Sequence, residues 1–135
     1  MLEPENNGYS RDQIAIVSRP IGDGIVLAVS GEIDLATSPA VERELLQAAE
    51  SHDLVAIDLS ATSFLDSSGL HTIIAADHRL RERGGRLLIV DGPPQVSRVF
   101  ELTGLSNHLD LVRDGTELAR FAANGNDRRP SSPTG

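Results

Sequence analysis

Short apolar segments alternate with longer segments of helical periodicity along most of this 135-residue chain, and this alternation constrains the fold more than any other feature. Two strands rich in Ile and Val are predicted at Ile14–Pro20 and Gly24–Asp34, with "IGDG" as the connecting turn. A buried strand is predicted at Asp53–Ala61, another in "RLLIVDG", and a weaker one at Leu109–Val112. Strands that alternate with helices favour an α/β layer structure with right-handed crossovers.

Four helices are predicted between and after these strands. The first lies in "TSPAVERELLQAAE", with Ser38 as the candidate N-cap and Pro39 at the first helical position. The second runs from Gly69 to Arg83, the third is "PPQVSRVFELTGL" with Gly104 as its left-handed stop, and the fourth is "TELARFAA". The predicted fold is therefore a mixed, mostly parallel sheet of about five strands packed by about four helices.

The ends of the chain differ in composition from its middle. Length alone predicts one domain, which we assign to residues 13–123. Residues 1–12 are polar and are expected to form a flexible N-terminus. Residues 124–135, "NGNDRRPSSPTG", are too poor in apolar groups to pack and are expected to be a disordered C-terminal tail. No leader-like or membrane-spanning apolar run is present in the sequence, so a cytoplasmic location is expected.

Composition excludes several functions. The net charge of −8 argues against binding to nucleic acid and to anionic membranes. The sequence has no Cys, so disulfides, thiolate metal sites and thiol nucleophiles are excluded. All 12 basic residues are Arg, which argues against a P-loop, Schiff-base chemistry and phospho-acceptor receiver domains, because each of them uses a Lys.

Several polar side chains follow predicted parallel strands, where ligand and partner sites concentrate. They are Asp34, Asp66, Ser67, Ser68 and Asp91, and they are expected to lie along one edge of the sheet. One interpretation of the two serines is structural, with one hydroxyl capping the next helix. The other is a phosphorylation site at a helix N-terminus, where phosphate is tolerated. Asp34 is likewise open to two interpretations, an organiser of the first helix or part of a partner surface.

No set of residues assembles an enzyme, a metal site or a cofactor site. Asp58 lies within a predicted buried strand and is interpreted as a hydrogen-bonded structural acid. "DSSGL" is not the G-x-S-x-G elbow of hydrolases, and a serine nucleophile needs an accompanying base. His71 and His78 are two helical turns apart, about 10 Å, which is too far for one ion. We expect no catalytic residue, no metal and no cofactor.

Three segments together resemble a STAS domain, and more narrowly the bacterial anti-sigma factor antagonists. These segments are "SGEIDLATSPAVERELL", "LVAIDLSATSFLDSSGLHTII" and "GGRLLIVDGPPQVSRVFELTGL", and the resemblance spans about residues 14–121. It implies partner switching in transcription regulation. The unphosphorylated antagonist binds an anti-sigma factor that is also a serine kinase with a histidine-kinase-like ATPase fold, which frees the sigma factor. Phosphorylation ends this binding, and a PP2C-type phosphatase restores it.

The resemblance also assigns roles to residues. Ser67, the first serine after the acid of "DSSGL", corresponds to the phosphorylated serine of the family. Asp34 matches the acid of "GEID", and the rest of the implied partner-binding loop is Asp66, Ser68, Gly69, Leu70 and His71. His71 is a departure, because many relatives have a small residue there. The alternative function is a STAS module that scaffolds an assembly or senses a small ligand without phosphorylation.

Overall fold

A computed structural model describes residues 14–123 of the protein, and within them the chain forms six strands and four α-helices. The predicted flexible N-terminus and disordered C-terminal tail lie outside the described residues. The strands are β1 (Ile14–Ile21), β2 (Gly24–Ile33), β3 (Leu54–Asp58), β4 (Thr62–Leu65), β5 (Arg86–Val90) and β6 (Asp110–Val112). The helices are α1 (Ser38–Ser51), α2 (Ser67–Glu82), α3 (Pro94–Leu102) and α4 (Gly115–Ala123).

All strands belong to one sheet, in the order β1-β2-β3-β5-β6, with β4 paired to β2 off this path. Only β1 and β2 pair antiparallel among the described strands; the other pairs are parallel. The predicted mixed, mostly parallel sheet is confirmed. It has one strand more than expected, because the predicted strand Asp53–Ala61 ends at Asp58 and "TSFL" then forms β4.

β2 pairs with β3 along its first half and with β4 at its end, where Ser63 is an extra residue that makes a bulge in β4. The pairing register shifts between Gly31 and Glu32, so that Gly31 lies opposite Thr62 and Glu32 opposite Phe64. Gly31 has a φ of +105°, which glycine adopts without the steric penalty of a side chain. The glycine of "GEID" therefore directs the end of β2 toward the segment that contains the two serines.

Two apolar layers hold the helices on the sheet. The larger lies between one face and α1, α2 and α3, and the smaller lies between the other face and α4. Successive residues of β3 and β5 contribute to opposite layers, so these central strands are buried on both faces, as predicted. α1 and α2 pack against each other on this face, with α1 over β2 and β3 and α2 over β5 and β4.

The structure corrects two of the predicted helix starts. Thr37, not Ser38, precedes α1, and its hydroxyl donates to the carbonyl of Glu32 (2.7 Å) instead of capping the helix. α2 begins at Ser67, two residues before the predicted start at Gly69, because Asp66 serves as the N-cap. The predicted stop after α3 is confirmed, since Gly104 has a left-handed φ of +77°.

Candidate functional site

At the start of α2, Asp66 caps the helix and binds the Ser68 hydroxyl, while the Ser67 hydroxyl is exposed. The Asp66 Oδ1 atom accepts hydrogen bonds from the Ser68 N–H (2.9 Å), the Gly69 N–H (3.2 Å) and the Ser68 hydroxyl (2.6 Å). Ser67 is exposed, and its hydroxyl has no hydrogen-bond partner among residues 14–123. The structural interpretation, in which a serine caps the helix, is therefore wrong, because the acid is the cap. Ser67 is left accessible to a modifying enzyme.

The cap fixes the charge of Asp66. Burial would raise the pKa of Asp66, but the Ser68 hydroxyl and the backbone N–H groups of Gly69, Ser68 and Leu35 stabilise the carboxylate and hold this pKa below its ordinary value. Asp66 is consequently a permanent negative charge beside Ser67 near neutral pH. The role that the structure shows for Asp66 is to hold the first turn of α2.

Asp34 lies on the neighbouring strand end and organises the loop into α1. Ile33 pairs with Leu65, and the Asp66 N–H donates to the Ile33 carbonyl (3.1 Å), so Asp34 and Asp66 follow directly paired residues. Asp34 Oδ1 accepts the N–H groups of Ala36 (3.0 Å) and Thr37 (3.1 Å). The structure thus gives Asp34 the organising role, and its side chain is half-buried at this edge of the sheet.

Gly69 fixes how closely α2 approaches the strand ends. A Cβ on Gly69 would lie 2.6 Å from Ile33 Cγ2 and 2.6 Å from Leu65 Cδ1, shorter than real Cβ contacts. Leu70, the next residue, is buried at 6% exposure and belongs to the larger apolar layer. Gly69 and Leu70 therefore position this loop, and neither presents an exposed side chain.

The structure also places His71, Asp58 and Asp91, the remaining polar residues discussed from the sequence. His71 is exposed on α2, four residues after Ser67. Asp58 accepts the Ser60 N–H (2.9 Å), which confirms the structural interpretation of that acid. Asp91 follows β5, as predicted, but it bonds within its own loop, to the Gly92 N–H (2.9 Å) and the Ser97 hydroxyl (3.0 Å). It organises the start of α3.

Two exposed apolar side chains near Ser67 were not predicted from the sequence. Leu35, whose N–H helps to stabilise the Asp66 carboxylate, is 78% exposed, and Phe64 in β4 is 47% exposed. Leu65 points into the larger apolar layer, so Phe64 projects from the opposite face of β4. The signal for Leu35 was its position in a loop, outside the periodicity of the following helix. We call the Ser67 surface the set Asp34, Leu35, Phe64, Asp66, Ser67 and His71.

The described part of the chain shows neither a metal-binding group nor a membrane-spanning helix. Residues 14–123 contain no group of three or more His, Asp or Glu side chains placed to hold a metal ion. None of the helices in that range is both long enough and apolar enough to cross a bilayer.

Comparison with known proteins identifies the class to which this fold and loop belong. The family described as "STAS domain" matches residues 15–118, and the chain belongs to that family. Its similarity within the family is to anti-sigma factor antagonists. It is 35% identical over 107 residues to the anti-sigma-B factor antagonist of Listeria monocytogenes, a match that covers 78% of this chain and 89% of that protein.

Solved structures of antagonists have the same fold. An anti-sigma factor antagonist from Mycobacterium paratuberculosis is 32% identical and superposes with a TM-score of 0.75, covering 87% of this chain and 99% of that one. SpoIIAA in its unphosphorylated form is 20% identical, with a TM-score of 0.68 over 81% of this chain and 97% of that one. The Bacillus SpoIIAA in its phosphorylated form gives a TM-score of 0.63 at 19% identity, over 79% and 99% of the two chains.

Proposed function

We propose that this protein is an anti-sigma factor antagonist whose binding is switched by phosphorylation of Ser67. The observation that supports it is the difference between two adjacent hydroxyls. The Ser68 hydroxyl is held by Asp66 at 2.6 Å, whereas the Ser67 hydroxyl is exposed and has no partner among the residues described. A kinase that acts on this loop therefore has one hydroxyl it can reach without breaking the cap of α2.

The proposed partner is an anti-sigma factor, and the proposed mechanism is partner switching. The unmodified antagonist would bind the anti-sigma factor and release the sigma factor. Following the family resemblance, we further propose that this anti-sigma factor is a serine kinase with a histidine-kinase-like ATPase fold, and that a PP2C-type phosphatase removes the phosphate. The antagonist itself would act by binding, without catalysis or a cofactor.

The Ser67 surface has the composition of a docking site. Leu35 and Phe64 offer exposed apolar area, and burial of such a side chain contributes about 1.5–3 kcal/mol to an interface. Asp34 and Asp66 give this surface negative charge before any modification. A phosphate on Ser67 adds about 1.5–2 negative charges at this surface. At about 6 Å from an acid of the partner, such a dianion is repelled by roughly 1 kcal/mol in water-like surroundings and by several in a drier interface.

Phosphorylation is tested directly with a candidate kinase and ATP. Intact-mass and peptide spectrometry should find one phosphate, on Ser67, and Ser68→Ala should be modified as the wild type is. The Ser67→Ala protein should take up no phosphate. Modification at a different serine, or none with a kinase that binds the protein, would contradict the proposed site.

Binding is tested with pairs of matched variants and the same anti-sigma factor. Ser67→Ala should bind at least as tightly as the wild type, and the phosphorylated protein at least tenfold more weakly. Leu35→Ala should lose about tenfold in affinity. Leu102→Ala is its control, because Leu102 is 79% exposed at the far end of α3. Equal losses in the two Leu variants would mean that the Ser67 surface is not the docking site.

The alternative, a STAS module that binds without switching, predicts a different result. Its complex would be stable and indifferent to the phosphorylation of Ser67. The similarity to antagonists along most of the chain favours the switching function.

A further inference from the structure

One exposed line of residues runs along α2 from its first turn. The line follows a spacing of three or four residues, and each member is exposed to solvent. Its members are Ser67, His71, Ala75, His78 and Glu82. Residues four apart on a helix lie one above the other, with about 5–6 Å between their Cβ atoms. His71 is therefore the next side chain after Ser67 on the same exposed line.

Three backbone N–H groups in the first turn of α2, those of Ser68, Gly69 and Leu70, are already engaged in the unmodified protein. Asp66 Oδ1 accepts the N–H groups of Ser68 (2.9 Å) and Gly69 (3.2 Å), and the Leu70 N–H donates to the Asp66 carbonyl (3.0 Å). Phosphate groups at helix N-termini ordinarily use such N–H groups. Because the cap already occupies the Ser68 and Gly69 N–H groups, a phosphate on Ser67 needs a side chain as a further partner.

We propose that His71 is this partner, and that its imidazolium pairs with the phosphate on Ser67. The inference rests on the proposed phosphorylation of Ser67. Within α2, the other basic side chains are at least two turns further on, and the Arg residues among them already contact acids. Arg79 contacts Glu50 (3.5 Å), and Arg81 contacts Asp77 (2.8 Å).

The charged groups at the sheet edge where α2 begins come from the strand ends and from α1. Asp66 and Asp34 lie at the strand ends beneath the start of α2, and α1, which packs on α2 and starts from the same sheet edge, has Glu42 and Glu44 in its first two turns. All four are acids. Imidazole and phosphoserine both change charge between about pH 5 and 8, so the pair is strongest below neutral pH and weakens as imidazole loses its proton.

The test uses phosphoserine incorporated at position 67 during translation, so that it does not depend on any kinase. The midpoint of phosphate ionisation is measured by ³¹P NMR as pH is varied, in the wild-type background and in the His71→Gln and His78→Gln variants. His71→Gln should raise the midpoint by about half a pH unit, a factor of about three in proton affinity. His78→Gln should leave it unchanged, because His78 is three turns from Ser67. The shift should shrink in high salt.

Two results would overturn the pairing. Equal midpoints in all three proteins would mean that His71 does not interact with the phosphate, and equal shifts in both variants would indicate a general charge effect. These outcomes are independent of the proposed function. Failure of a kinase to modify Ser67 would contradict that function, yet the incorporated phosphoserine would still report on His71.

Discussion

Replacing Gly69 by Ala tests whether close packing or helix propensity has the larger effect on stability at the proposed site. Propensity alone predicts that Ala stabilises a helix by about 0.5–1 kcal/mol relative to Gly. The added Cβ, however, would lie 2.6 Å from a methyl group of Ile33 and 2.6 Å from one of Leu65, about 1 Å inside the contact distance of two carbon atoms. Ile33 is 0% and Leu65 3% exposed, so neither can move into solvent. Overpacking of this kind costs about 1–3 kcal/mol.

The net expectation for Gly69→Ala is a loss of about 1–2 kcal/mol in the free energy of unfolding. Urea denaturation measures it, and the midpoint should fall by roughly 0.5–1 M with an unchanged slope. Gly115→Ala is the control, because Gly115 begins α4 and a Cβ there meets nothing within 4 Å. That variant should be as stable as the wild type or slightly more so. If Gly69→Ala matched Gly115→Ala, the close approach of α2 to the strand ends would not exist in solution.

Three further predictions concern single side chains. Asp66→Ala should lower the free energy of unfolding by about 1 kcal/mol through loss of the cap, measured by urea denaturation. Because the pKa of Asp66 is lowered in the folded state, the stabilisation from its carboxylate is present above the unfolded-state pKa and is lost as pH falls through the lower folded-state pKa. The difference in free energy of unfolding between the wild type and Asp66→Asn should therefore narrow below about pH 4. Ser68→Ala should cost about 1 kcal/mol, because it removes the 2.6 Å bond to Asp66, whereas Ser67→Ala should change stability by less than about 0.5 kcal/mol. For Asp77, burial raises the pKa in the folded state against the opposing effect of Arg81, so its effect on stability has the opposite pH dependence. The stabilisation from Asp77 is greatest at low pH and is lost as pH rises through the folded-state pKa. Asp77→Asn should therefore remove this pH dependence from the urea midpoints measured at several pH values.

Most of the fold follows from local sequence patterns, and the strand that was missed shows the limit of such patterns. The buried runs that became β3 and β5 are rich in Val, Ile and Leu, and the helices have clear apolar faces. β4 has only four residues, of which the two central ones are exposed. Its pairing depends on the register shift at Gly31, more than thirty residues earlier in the chain. A short strand whose pairing partner lies so far away in the chain has no local periodicity to recognise.

The candidate site was predicted in its location but not in all of its parts. Strand order and the "DSSGL" motif were enough to bring Asp34, Asp66 and Ser67 to one edge. Which residue caps α2 depends on atomic geometry, because Asp and Ser are both good caps. The exposure of Phe64 could not be predicted, because an apolar residue in a strand looks like a core residue until the packing is known.

The rigidity of this region bears on how the proposed switch would work. Three independent contacts fix the start of α2: the bonds to the Asp66 carboxylate, the Asp66 N–H bond to the Ile33 carbonyl, and the contact of Gly69 with the strand ends. The exposed Ser67 hydroxyl takes part in none of them, so a phosphate there breaks none of them directly. The proposed switch would therefore act through charge added to a preformed docking surface, because unfolding α2 would require the loss of all three contacts.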